Sequence, residues 1–233
     1  MAATAISETG YTYKASPYSS HSLLVGALPA QGGHSRVLDI GCASGYLAGI
    51  LAQRGYEVTG IERAGGYGDH FPEGVELIEA DLDKGLPPLR NRFSHAICGD
   101  ILEHLRDPGT LLGQIAHVLE KDGRLIASLP NSGNLYFRLT VLSGRFPQED
   151  KGLFDRTHLR FYMWDGWREL FASAGFEIEE RRVSGIPVGL AVPRWDGAAA
   201  IRVLEWLAYK AASVWPTLFA YQFVVIARRR DAS

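Results

Sequence analysis

Five apolar runs of strand length recur through this chain, at Arg36 to Ile40, Glu57 to Ile61, Val75 to Glu79, His95 to Cys98 and Arg124 to Leu129, with helical or loop segments between them. This alternation suits parallel strands covered on both faces, joined by crossover helices. Helices are legible at Tyr46 to Arg54 and at Thr110 to Glu120. In the second, Leu111, Leu112, Ile115, Val118 and Leu119 fall at helical spacing behind Asp107 and Pro108, and Lys121-Asp122-Gly123 end it. Downstream, Asp165 caps a helix through Ala174, Gly175 stops it, and Phe176 to Val183 reads as a strand. The apolar stretch Ala198 to Ile226 reads as a helix followed by a strand over Leu218 to Ala227. The expected fold is therefore α/β, a doubly wound and mostly parallel sheet in a single domain over residues 1–233. Insertions at 130–163 and 184–216 follow carboxyl ends of strands, where open α/β sheets bind ligands, and are expected to act as a helical lid over a substrate pocket.

Composition narrows the partners. A formal net charge of −2, with acids and bases interspersed, lacks the basic excess of a nucleic-acid-binding protein. Arg228, Arg229 and Arg230 read as a solvated basic run with no function of their own. Cys42 and Cys98 each adjoin a glycine at the end of an apolar run and read as small packed residues, without a disulfide. The first ten residues show no basic region followed by an apolar one, and the late apolar stretch is broken by Arg202, Glu205, Lys210 and Pro216. The expectation is a cytoplasmic protein with no integral membrane span.

The most informative stretch is Val37-Leu38-Asp39-Ile40-Gly41-Cys42-Ala43-Ser44-Gly45, a buried strand turning through small residues directly into a helix. Small residues there let a ligand lie against backbone, although dinucleotide sites use a similar loop. Asp39 discriminates: a carboxylate at the strand end repels a pyrophosphate but accepts hydrogen bonds from an amine. Glu62, after the next strand, is placed to accept both hydroxyls of a ribose, a feature shared with nicotinamide enzymes. After the third strand, the Asp81 carboxylate and the Leu82 amide are placed to clamp an adenine. Gly99 and Asp100 close strand four beside the first loop, where backbone carbonyls meet an amino-acid end.

In that order, these elements resemble the class I S-adenosylmethionine-dependent methyltransferases, in particular the small-molecule branch whose strand-four signature is similar to Asp100-Ile101-Leu102-Glu103-His104-Leu105-Arg106-Asp107-Pro108. The resemblance covers Val37 to Val183. It implies a seven-stranded Rossmann-like sheet of order 3-2-1-4-5-7-6 with the last strand antiparallel, and S-adenosyl-L-methionine as cofactor. It further implies that Asp39, Gly41 and Gly45 hold the methionine part, Glu62 the ribose and Asp81 the adenine. Two departures stand out: Ala43 replaces a family glycine, and the glycine-rich Arg63 to Gly74 is poor helix material, so a loop is expected where the family has a helix. Within it, Tyr67, His70 and Phe71 either cover the adenine or pack on the sheet.

Methyl transfer is an in-line displacement in which positioning does much of the work. For a hydroxyl acceptor, His104 and His158 are the candidate bases, each with a structural alternative in orienting its loop. Glu103, His104 and His158 also offer metal-ligand chemistry, but no metal is expected. The aromatic and arginine-rich insertion, with Tyr136, Phe137, Phe146, Phe154, Phe161 and Tyr162, suits either its own core or a small-molecule acceptor with apolar bulk and an anionic group. Trp195, Trp206, Leu207 and their neighbours on the late helix read as packing, substrate wall, homodimer face or membrane contact. Tyr11, Tyr13 and Tyr18 precede the first strand and either fold over the cofactor or dock on the domain. The reading is methyl transfer to a small, lipid-like or glycosyl acceptor, more at oxygen than at nitrogen or carbon. The alternatives are a nicotinamide-dependent oxidoreductase and a non-catalytic S-adenosylmethionine-binding regulatory module.

Overall fold

Strand alternation builds the sheet as the sequence pattern demands. In the computed structural model, which describes residues 16–66, 71–188 and 199–230, positions two apart along one strand feed the same core. Leu38 and Ile40 of β1 (Arg36–Ile40), Ala96 and Cys98 of β4 (Phe93–Gly99) and Leu125 and Ala127 of β5 (Leu119–Pro130) pack on one face. Their partners there include Leu112 of α3 (Pro108–Val118) and Trp167 and Phe171 of α5 (Trp164–Ser173). The intervening Val37, Ile97 and Ile126 pack on the other face with Leu24 of α1 (Ser20–Val25) and Leu47 and Leu51 of α2 (Tyr46–Gln53). Both faces are thus covered, and each fully buried leucine or isoleucine contributes roughly 1.5–3 kcal/mol of transfer free energy.

With β2 (Glu57–Glu62), β3 (Val75–Glu79), β6 (Phe176–Val183) and β7 (Gln222–Arg229), the strands form one seven-stranded sheet of order β3-β2-β1-β4-β5-β7-β6. β7 runs antiparallel to both β5 and β6, and the remaining pairs are parallel. This is the Rossmann-like order that the resemblance implied. It brings the carboxyl ends of β1, β2 and β4 to one edge, with Asp39 in register with Ile97 and Ile40 with Cys98.

Several boundaries differ from the sequence reading. The strand expected from Leu218 starts at Gln222, because Pro216–Phe219 forms a short helix, α7, behind α6 (Ala199–Val214). Proline at the first turn favours that helix, and the buried amides of Asn131 and Asn134 both donate to the Ala220 carbonyl at its end, at 2.9 and 2.8 Å. The helix cap after Tyr162 is Met163 rather than Asp165, which lies in the first turn and faces Arg168. Lys121-Asp122-Gly123 lie within β5, which begins at Leu119 opposite Phe93. Arg228 and Arg229 belong to β7, where Arg228 pairs with Glu177 at 2.8 Å and Arg229 donates to the Ala116 carbonyl.

The loop expected after β2 is present. The described residues of the glycine-rich stretch, 63–66 and 71–74, are not helical, and Phe71 packs against Gly45 and Gly60. Tyr67 and His70, like Tyr11, Tyr13 and Trp195, lie outside the described residues. The fourth helix, α4 (Leu135–Leu142), begins at Asn134, whose side chain accepts from the Tyr136 amide. Cys42 and Cys98 are free and buried. No helix among the described residues is long and apolar enough to cross a membrane.

Candidate active site

The glycine loop after β1 is shaped by conformation as much as by size. Gly41 and Gly45 both have a φ of +73°, and an added Cβ would lie 2.8 Å from Ile101 at the first and 2.7 Å from Phe71 and Pro72 at the second. Neither site tolerates a side chain. Ala43 also takes the left-handed region, with φ +47°, a conformation that costs a non-glycine residue about 1–2 kcal/mol. Its amide is tied down by Glu62, whose Oε2 accepts from Ala43 at 2.9 Å while Oε1 accepts from the Arg63 amide at 3.0 Å. The β2 acid therefore braces the loop, and its remaining lone pairs stay available to hydroxyl donors.

Asp100, at the tip of β4, also takes the left-handed region, with φ +53°. Ser128 of β5 and Gln222 of β7 hold it. The Asp100 amide donates to Ser128 Oγ at 2.9 Å, Ser128 Oγ donates to Asp100 Oδ1, and Gln222 Nε2 donates to the same oxygen at 2.8 Å. Strain of this kind persists where surrounding bonds over-determine it.

These loops enclose a cavity of about 310 Å³ lined by Asp39, Gly41, Cys42, Ala43, Glu62, Gly99, Asp100 and His104, among others. Of the candidate cofactor residues, Gly45, Asp81 and Leu82 do not line it. Gly45 sits beneath the loop as the N-cap of α2. Asp81 is exposed, accepts from the Asp83 amide at 3.2 Å and faces Lys84 at 3.5 Å, while Leu82 is buried in the core. The lining also includes residues that sequence reasoning left without a role. His21 and Tyr46 line it together, with Tyr46 Oη 2.7 Å from His21 Nε2, and Arg63, Gly65 and Gly66 close the Glu62 side. Tyr46 carried a signal, as the first residue of the helix that leaves the glycine loop. His21 carried none in its spacing, because only the docking of α1 across β4 brings it there.

Asp39 is 2 % exposed and its Oδ2 has no hydrogen-bond partner. Burial, reinforced by the charge of Glu62 and opposed by the Ala48 amide, pushes its carboxyl up to about 7. A buried acid with an idle oxygen at a cavity wall is matched by a cationic donor. The ammonium group of S-adenosylmethionine has that chemistry, so the residues present fit the cofactor.

Beyond the cofactor loop, His104 Nδ1 lies 2.9 Å from Thr157 Oγ1 and 3.3 Å from the Thr157 carbonyl. Thr157 Oγ1 in turn donates to Asp155 Oδ1 at 2.6 Å. The threonine proton is thereby committed to Asp155, and the carbonyl only accepts, so the tautomer of the neutral His104 ring that satisfies both contacts has its proton on Nδ1 and its lone pair on Nε2. His158 does not line the cavity. Its ring meets that of His104 at 4.7 Å, and burial together with His104 pushes its pKa down to about 4. Glu103 is buried, its Oε1 is 3.8 Å from His158 Nε2, its Oε2 has no partner, and burial followed by the Asp100 charge raises its pKa well above the usual carboxylate range. Ligand atoms of Glu103, His104 and His158 all lie within 4.8 Å of one another, although no metal was expected there.

The aromatics of the first insertion pack chiefly on each other: Phe137 stacks on Phe154 at 4.5 Å, with Phe146 edge-on to both. Arg138 donates to the Gly133 carbonyl, Arg156 pairs with Asp150 and Arg160 donates to the Arg106 carbonyl. Tyr18 stacks on Tyr209 of α6 at 4.6 Å.

Residues 16–181 match a family model described as a methyltransferase domain. The chain belongs to that methyltransferase family. Its cofactor is S-adenosylmethionine, and membership sets aside the nicotinamide-dependent alternative. Among curated relatives, the ubiquinone biosynthesis O-methyltransferase of Xylella fastidiosa is 31% identical over 123 residues, covering 48% of each chain. This chain thus spans about half the length of the curated relatives it matches. Among solved structures, a methyltransferase from Archaeoglobus fulgidus is 18% identical with a TM-score of 0.60, over 90% of this chain and 92% of that one. Magnesium protoporphyrin IX methyltransferase from Synechocystis, solved with bound S-adenosylhomocysteine, is 19% identical with a TM-score of 0.54, over 90% of this chain and 80% of that one. At such identities the likeness is one of fold.

Proposed function

We propose that this protein methylates an oxygen of a small or lipid-like acceptor, with His104 as the base that receives the acceptor proton. S-adenosylmethionine, when bound, supplies a methyl carbon activated by its sulfonium. Asp39, Gly41, Cys42, Ala43, Glu62, Gly99 and Asp100 would hold it in the cavity, with Gly45 shaping the loop beneath and Asp81 and Leu82 at the adenine side. The observation that carries the base assignment is the relay from Asp155 through Thr157 to His104, which leaves an unprotonated Nε2 on a residue that lines the cavity. Such a third group orienting a base is the general logic of catalytic triads. His158, neutral and packed against His104, keeps the ring in place and excludes water. The name of the Xylella fastidiosa relative supports oxygen as the acceptor atom.

The insertions would wall the acceptor side within a single domain. In support, the Leu159 and Arg160 amides both donate to the Glu103 carbonyl, at 2.9 and 3.1 Å, tying the first insertion to the β4 loop. The test is turnover on an oxygen acceptor. His104→Ala should lower kcat by about 10²–10⁴ while S-adenosylhomocysteine affinity changes little, the range expected for losing a general base. Full turnover would show that proximity alone suffices, and cofactor binding with no turnover of the unaltered protein on any acceptor would favour the regulatory module. The unpartnered Glu103 Oε2 favours a second reading, in which a divalent cation joins Glu103, His104 and His158. Activity that survives exhaustive chelation rejects it, and activity lost to chelation and restored by added divalent cation supports it.

A further inference from the structure

One side of α6 anchors that helix to the domain. Ile201 and Ala212 are buried, Tyr209 stacks on Tyr18, and Glu205 accepts from Ser16 Oγ at 3.2 Å. Val203, Leu207, Lys210 and Val214 repeat the same helical spacing along the opposite side, with Trp206 beside them. There Trp206 is 46 % exposed, Leu207 49 % and Val214 86 %, and Trp215 continues the exposed run past the helix end. A surface helix normally turns its polar residues outward, and one that is apolar on both sides is covered on both. The helix also lies outside residues 16–181, the part of the chain matched by the family model.

Charge decides what covers it. Of Arg202, Glu205 and Lys210, the charged residues of α6, the acid is the one turned towards Ser16. Lys210 pairs with no acid among the described residues and lies over the Trp206 ring, 5.7 Å from its centroid. The neighbouring α4 carries the same sign. Its exposed Leu139, Val141 and Leu142 stand between Arg138 and Arg145, and the run Leu135 to Phe146 contains no acid. The two helices meet at one corner, where Asn134, the cap of α4, donates to the Phe219 and Ala220 carbonyls at the end of α7. A second copy docked on this face about a two-fold axis would set cations against cations with no acid to receive them. Anionic headgroups answer both features at once: tryptophan and aliphatic side chains enter the headgroup boundary, and lysine meets phosphate.

We infer that the outer face of α6 docks this protein on the surface of an anionic lipid bilayer, with Trp206, Leu207, Val214 and Trp215 as apolar anchors and Lys210 as the cation. The inference goes beyond the proposed methyl transfer and stands whatever the acceptor is. The helix lies in the plane of the surface and does not cross it, because its inner side is committed to the domain.

The experiment is vesicle flotation of the full chain. The unaltered protein should float with vesicles of equimolar phosphatidylglycerol and phosphatidylcholine, and bind pure phosphatidylcholine vesicles about tenfold less, as expected when one or two cations meet an anionic surface. Trp206→Ser combined with Leu207→Ser should weaken binding to the anionic vesicles by about tenfold or more. Both side chains are half exposed and neither lines the cofactor cavity, so affinity for S-adenosylhomocysteine should stay as it is and report an intact fold. Should the double variant fail to fold, Val214→Asp, at a more exposed position, reads the same comparison. Lys210→Glu should weaken binding to the anionic vesicles and leave pure phosphatidylcholine unaffected. Failure of the unaltered protein to bind either vesicle overturns the inference, as does binding that the double variant or Val214→Asp retains in full. A dimer in light scattering that the same variants convert to a monomer overturns it too, because a second copy then covers the face.

Discussion

At the residue scale, the chemistry of this site is set by groups held in states they would not adopt in water. The Asp39 carboxyl, ordinarily near 3.8, is pushed up to about 7 by burial and by Glu62. Because the fold prefers the protonated form, this group favours folding below pH 4, and that contribution is lost as pH rises through 7, a difference on the order of 4 kcal/mol. Cofactor affinity should run the opposite way, climbing up to tenfold per pH unit below 7 and levelling above 8, because the ammonium selects the ionised acid. Calorimetry across that range checks the slope. Asp39→Asn should flatten it while raising the urea stability of the unliganded protein at pH 8 by about 2 kcal/mol. Ala43→Gly should add about 1 kcal/mol by relieving the left-handed alanine, read from the same urea curves. The place of Asp39 at the cavity wall was legible because it stands at the end of the first strand, directly before the glycine turn. The tie from Glu62 to the Ala43 amide was not, since it depends on a backbone angle that the sequence only hints at through its missing glycine.

At the element scale, β1 was legible because burial on both faces imposes a continuous apolar run, and the edge strands β3 and β6 because apolar and exposed residues interleave between turn signals; all three begin and end where the pattern placed them. Misreadings fell where tertiary bonds override local preference. Pro216–Phe219 resembles a strand in composition, yet its carbonyls are claimed by Asn131 and Asn134, residues more than eighty positions away. That claim gives a further expectation. Asn134 caps α4 and donates to Ala220 from a buried position, so Asn134→Ala should cost about 2–3 kcal/mol in chemical denaturation, more than a cap alone. A loss below 1 kcal/mol would show that the two segments are held together by other contacts. The position of His104 at the cavity wall was legible because it follows β4, whereas its partners Thr157 and Asp155 come from an insertion whose docking no local pattern encodes.

At the scale of the whole molecule, site and core share the same bonds, so occupancy should report on global stability. A ligand that binds only the folded chain, present at a hundredfold over its Kd, adds about 2.7 kcal/mol of unfolding free energy. For a chain of this length, S-adenosylhomocysteine should then raise Tm by roughly 5–11 °C, with Asp39→Asn showing a much smaller rise at the same concentration. Equal rises would detach the cavity from the cofactor. The sheet order itself was legible through the resemblance alone, because periodicity reveals strands but carries no information about which lies beside which. That order has a consequence for synthesis. Asp100, on the fourth strand, is steadied by Gln222, which the ribosome adds 122 residues later. A nascent chain that has already made every loop of the cofactor cradle still lacks the prop for its β4 tip, so full affinity for the methyl donor must wait until the antiparallel strand has emerged and slotted between its neighbours.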